Sequence, residues 1–117
     1  MKYDLEELKL YHVYVEFMTY EYKILEKYDN FATLRGDIVR NVNRGLEIII
    51  KLNKEMTPSV KVRLLNDFDA VLKIMKTYAR ISKKMKIITS RNYSAVCGKI
   101  SVLNNMMLGM FKSCQKH

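Results

Sequence analysis

Tryptophan is absent from the 117 residues, proline occurs once and glycine four times. With so few chain breakers among many Leu, Ile, Met, Lys and Glu residues, the chain reads as all-α. The two cysteines, Cys97 and Cys114, lie 17 apart without CxxC spacing or a nearby histidine. That spacing argues against a zinc site or a disulfide framework and predicts reduced, intracellular thiols. No window approaches the roughly 20 apolar residues of a membrane span. Asp4, Glu6 and Glu7 stand where a signal peptide requires a basic start followed by an apolar run. The expectation is a soluble, cytoplasmic protein.

Catalytic vocabulary is equally scarce. His12 and His117 are the only histidines, and neither follows a glutamate at the Glu-x-x-His spacing of a di-iron bundle. No arginine is followed a few residues later by histidine, as in helical ribonucleases of the HEPN type. No glycine-rich phosphate loop and no Ser-His-Asp or Cys-His set can be assembled. The carboxylates Glu16 and Glu21 have no visible partner set. A non-enzyme is expected, without metal or cofactor, and His12 is read as a surface or interface side chain.

What is present is helical periodicity. A chain of this length is one domain, 1–117, able to bury roughly two thirds of its unfolded surface. The first helix is predicted over about 4–28, with Leu8, Tyr11, Val15, Met18, Tyr22 and Leu25 as its bundle seam. A second apolar set, Leu10, Val13, Tyr14, Phe17, Tyr20 and Ile24, predicts contact on another side as well. The tyrosines of this helix could stack on bases, but an acidic helix suits phosphate poorly, and core or subunit contact is the preferred reading.

The second helix is predicted over about 34–56, with Thr33 as N-cap, a seam of Ile38, Val42, Leu46, Ile49 and Leu52, and Gly45 allowing close approach. Thr57-Pro58 marks the start of a third helix over about 58–85, an N-cap hydroxyl followed by proline where its missing donor costs nothing. The fourth is predicted over about 90–113, capped by Thr89 or Ser90. Short connections imply an antiparallel up-down-up-down four-helix bundle. Between Asn92 and Ser113 only Lys99 and Lys112 are charged, so this last helix should be covered by a neighbouring subunit as well as by its own bundle.

Charge is distributed unevenly. The net charge is +9. Residues 1–30 hold 4 basic and 7 acidic groups, 31–57 hold 5 and 3, 58–88 hold 8 and 2, and 89–117 hold 4 and none. Along the third helix Leu64, Phe68, Val71, Met75 and Tyr78 form the seam. Lys73, Lys76, Arg80, Lys83 and Lys84 recur at similar steps but lie on a different arc of the helix. Asp67 and Asp69 are the only acids over 58–88, and Lys86 and Arg91 continue the ridge. Such a ridge predicts salt-dependent contact with nucleic-acid phosphates without base specificity, ahead of a membrane surface or of a merely solvated lysine face. Arg35, Arg40 and Arg44 on the second helix are further phosphate candidates, because arginine suits the phosphate fork; Glu47 and Glu55 interrupt that face.

Several segments together carry a family resemblance: Tyr20-Glu21-Tyr22-Lys23-Ile24-Leu25 ahead of a turn with Phe31, Leu34 to Arg44, Tyr78-Ala79-Arg80, Ile88-Thr89-Ser90-Arg91-Asn92-Tyr93, and the closing run Leu103 to Ser113. In this order they resemble the accessory variability determinant of diversity-generating retroelements. More broadly they resemble four-helix proteins related to ribosomal-RNA intervening-sequence proteins. Here Leu108-Gly109 stands for the family's glycine pair, Met110 for its tryptophan and Asn104-Asn105 for Gly-Arg, and the proline near Phe31 is missing. The resemblance implies a basic homopentameric barrel of four-helix subunits. Such a barrel binds the retroelement's reverse transcriptase and nucleic acid and supports mutagenic cDNA synthesis and retrohoming. Two alternatives remain open, a stand-alone RNA- or DNA-binding protein of the intervening-sequence type and a structural helical adaptor.

Overall fold

Helix-forming residues without interior proline build four helices, and the computed structural model describes residues 8–54 and 56–115. They are α1 (Lys9–Ile24), α2 (Ala32–Leu52), α3 (Pro58–Lys84) and α4 (Ser90–Gln115), with a short 3-10 turn, Leu25–Tyr28, after α1. Among the described residues there is no strand, and the arrangement is consistent with a four-helix bundle. At 1.5 Å per residue the 27-residue α3 is about 40 Å long, which sets the long dimension of a 47 × 22 × 21 Å body. α3 packs chiefly on α4 and α2, and α1 on α4 and α2. No described helix is long and apolar enough to cross a membrane.

Helix ends follow local chemistry. Thr57 accepts a 3.4 Å hydrogen bond from the Val60 amide, and Pro58 takes the first helical position. Thr89 caps α4 reciprocally: its hydroxyl accepts from the Asn92 amide at 3.0 Å, and Asn92 Oδ1 accepts from the Thr89 amide at 3.2 Å. This is a capping box with Asn in the place usually held by Glu or Gln. The same Asn92 donates to the Tyr20 hydroxyl at 3.1 Å and accepts from Lys27 at 2.9 Å, tying the start of α4 to α1 and the turn after it.

Two boundaries differ from the sequence expectation. α2 begins at Ala32, behind Phe31 with no side-chain cap, so Thr33 lies inside the helix and is not its N-cap. α2 stops at Leu52, not near residue 56, because the chain closes it with the Asn53 amide bonded to the Ile50 carbonyl at 3.3 Å and the Lys54 amide to the Lys51 carbonyl at 3.2 Å. The expected start of the first helix near residue 4 falls outside the described residues, as does Glu55.

The largest correction concerns α1. Its buried side chains are Leu10, Tyr14, Phe17, Glu21 and Ile24, most of them from the set read as secondary. Of the set read as the bundle seam, Val15 is 37% and Tyr22 45% exposed, whereas Leu25 is buried. Tyr14 decides the rotation of the helix. Its ring is fully buried, its hydroxyl donates to the Val42 carbonyl of α2 at 2.6 Å, and it occupies the space left by Gly45. Tyr14 and Tyr28 are therefore core residues, unavailable for stacking on bases. On α3 the core takes Leu65, Phe68, Val71, Leu72, Met75 and Ala79, while Leu64 and Tyr78 are half-buried beside it. Asn41 of α2 donates to the Val71 carbonyl at 3.0 Å and fixes α2 against α3.

Candidate nucleic-acid interface

Long cationic side chains gather where a helix crest is free and Asp69 is the carboxylate beside them. Lys73, Lys76, Arg80, Lys83 and Lys84 are all exposed on α3, as are Lys86 in the following turn and Arg91 in the first turn of α4. Among the described residues Lys73 pairs with Asp69 at 2.6 Å, one turn away on its own helix. Among the described residues Lys76, Arg80, Lys83, Lys84, Lys86 and Arg91 form no ion pair, and no carboxylate of α1 reaches the ridge. Lys83 Nζ lies 4.8 Å from the centre of the Tyr93 ring, a cation-π contact that leaves the charge in solvent.

α3 divides the predicted cations into two groups. On the side toward α4, Lys73 and Lys76 join Cys97, Ser101 and Asn104 around a shallow groove of about 250 Å³ floored by Leu72 and Ile100. On the side toward α2, Arg40 and Arg44 line a separate concavity of about 210 Å³ with Ile74 and Tyr78. Arg40 is ion-paired to Asp37. Arg35 is exposed in the first turn of α2 and lines neither concavity. The ridge and the α2 arginines are thus two flanks of one crest and not one continuous patch.

The α4 wall is the part that sequence reasoning missed. Tyr93, Cys97, Ser101 and Asn104 recur at steps of four, four and three, one row of a helix. Tyr93 and Cys97 are both half-buried. The Tyr93 hydroxyl titrates above the ordinary phenol range, first because it is hydrogen-bonded to the Cys97 thiol, with the nearby Arg80 guanidinium acting in the opposite sense. That Arg80 acts on Tyr93 brings Arg80, Lys83 and this wall together.

Lys86 has φ 61°, the left-handed region that glycine enters freely and other residues rarely do. It closes α3 in a Schellman arrangement: the Ile87 amide bonds to the Ser82 carbonyl at 2.9 Å and the Lys86 amide to the Lys83 carbonyl at 3.0 Å. A side chain there costs about 1 kcal/mol. Lys86→Gly is expected to raise the midpoint of urea unfolding, by about 1 kcal/mol of stability, while weakening binding to polyanions. A lower midpoint would contradict this account of the turn.

A larger cleft, about 770 Å³, is lined by Leu8, Leu10, Leu52, Met106 and Met110 with Lys9, Lys54 and Lys61. None of the predicted site residues reaches it. Among the described residues, no group of three His, Cys, Asp or Glu side chains could hold a metal ion. Compared with protein-family models, with curated proteins and with solved structures, the chain matches none of them.

Proposed function

We propose that this protein is a non-enzymatic, cytoplasmic accessory subunit of a diversity-generating retroelement. In this role it binds template RNA or other nucleic acid together with the reverse transcriptase and so supports mutagenic cDNA synthesis and retrohoming. The carrying observation is the row of exposed α3 cations unopposed by any carboxylate of α1. The family resemblance supplies the polymerase. In this reading the helices run up-down-up-down and five subunits close a ring. The apolar side chains left exposed on α1 (Val15, Tyr22) and α4 (Val102, Leu108) support such subunit contacts. A ring repeats the ridge, so several weak phosphate contacts act as one strong site.

The test is charge reversal. Changing Lys76, Arg80 and Lys83 together to Glu removes three phosphate contacts, and affinity for a mixed-sequence RNA, read by fluorescence anisotropy, is expected to fall about 100-fold or more. Unchanged affinity, with helicity intact by circular dichroism, sinks the ridge as the site. Nuclease-resistant co-purification with the polymerase supports the accessory role. Nucleic-acid binding without any polymerase contact favours the stand-alone reading instead.

A further inference from the structure

We infer that the groove between α3 and α4 is a track for a single strand of nucleic acid, its phosphates held by Lys76, Arg80 and Lys83 and its bases met by Ser101 and Asn104. This rests on the nucleic-acid reading above and adds to it a path and a strandedness. Packed helices lie about 8–10 Å axis to axis, so the valley between two of them admits one strand. A duplex, whose major groove alone is about 12 Å wide, can touch only the crest.

The two walls differ in the way a strand requires. α3 supplies cations, and α4 contains no acid along its whole length. α4 instead presents a hydroxyl and a carboxamide, both able to donate and accept toward base edges, above an apolar floor of Leu72 and Ile100. From Tyr93 to Asn104 the wall runs about 16 Å at 1.5 Å per residue, enough for a few nucleotides. Asp69 closes one end of the groove, where it already holds Lys73. The open direction leads past Lys76 toward Arg80 and Lys83, both of which act on Tyr93 at the far end of the α4 wall. The outward row of α4, with exposed Gly98, Val102, Asn105 and Gly109, points away from the groove, so subunit contacts made there leave the track open.

Cys97 lines the groove and Cys114 does not, which provides a reporter and its control in the native sequence. The probes are an oligouridine and an oligothymidine of about 12 nucleotides, within the range of known single-strand sites, and an RNA duplex of the same length. At a concentration of about ten times Kd, only the unbound fraction stays reactive, so alkylation of Cys97 by N-ethylmaleimide should slow about tenfold. Cys114 should react at its unperturbed rate, and the duplex should protect neither thiol. In a second measurement Ser101→Phe, which fills the groove from an exposed position, should weaken oligouridine binding about tenfold and leave duplex binding as it was. If anisotropy reports oligouridine bound while Cys97 reacts freely, or if Ser101→Phe binds it normally, the track is wrong and the ridge survives. If neither single strand nor duplex binds, the nucleic-acid reading itself falls.

Discussion

Replacing Glu21 with Gln is expected to raise stability by about 3 kcal/mol at pH 8 and by less than about 1 kcal/mol at pH 5. Glu21 is 4% exposed, and its Oε1 is enclosed without a hydrogen-bond partner. It is surrounded by Ile24, Ile38, Met75, Ala79, Ile88 and Val96, with Tyr28 and Tyr78 as its polar neighbours. Burial away from water disfavours the carboxylate and pushes its pKa from 4.5 up to about 7. The sign follows from proton counting. Between pH 4.5 and 7 the folded protein holds a proton that the unfolded chain has released, so stability falls as pH rises through that window and is flat above it. An amide carries no charge at any of these pH values. Urea unfolding of both proteins at pH 5 and 8 reads the effect directly. A wild type equally stable at the two pH values, or a Glu21→Gln variant that loses stability in parallel with it, would mean that the carboxyl finds water or a partner when ionised.

Glu21 also acts on its neighbours. Burial raises the Tyr14 and Tyr28 hydroxyls above the ordinary phenol range, and the nearby Glu21 charge pushes both further up, against the lowering effect of a Ser82 hydrogen bond at Tyr28. The two phenols stay neutral and Tyr14 keeps its hydrogen bond to Val42, so the cost of burial on this face of α1 falls on Glu21.

Gly45→Ala is expected to cost on the order of 1 kcal/mol, the overpacking penalty of about 1–3 kcal/mol outweighing a helix-propensity gain of about 1 kcal/mol. A Cβ at Gly45 would fall on the Tyr14 hydroxyl and lie 2.7 Å from Cζ and 3.2 Å from Cε1. The ring cannot retreat, because it also packs on Phe17 and Phe68, with centroids 5.6 and 5.7 Å away. Tyr14→Phe alone gives up the hydrogen bond to the Val42 carbonyl, worth about 1 kcal/mol, but it also removes the atom nearest the new methyl. The double variant should therefore be more stable than the sum of the two single changes, a positive coupling measurable by urea unfolding. Strict additivity would show that α1 shifts as a body to admit the methyl group and that Gly45 is not what seats Tyr14.

Much of this was legible beforehand because it is local. Thr57-Pro58 announces a helix start wherever it is placed, and the rows through Phe68 and Met75 or Ile38 and Ile49 have one apolar face each, which leaves packing no choice. The exposed cations of α3 follow from the same period, since whatever lies opposite a buried seam meets solvent. Glycine at position 45 also signalled a close approach, though not which side chain would make it.

α1 is different because it offers two apolar faces roughly 140° apart at 100° per residue, and periodicity ranks them equally. Contact with α2 chose between them: Gly45 leaves room for one large ring, Tyr14 fills it, and that rotation carries Glu21 inward and Val15 and Tyr22 outward. The same kind of contact put Tyr93, Cys97, Ser101 and Asn104 opposite the α3 lysines and set the α2 arginines on the far flank. Local propensity and period thus settled which segments are helical and which row of α3 is charged. Pairwise packing between helices far apart in the chain settled which faces meet, because it depends on the volume a partner leaves free and no run of neighbouring residues records that volume.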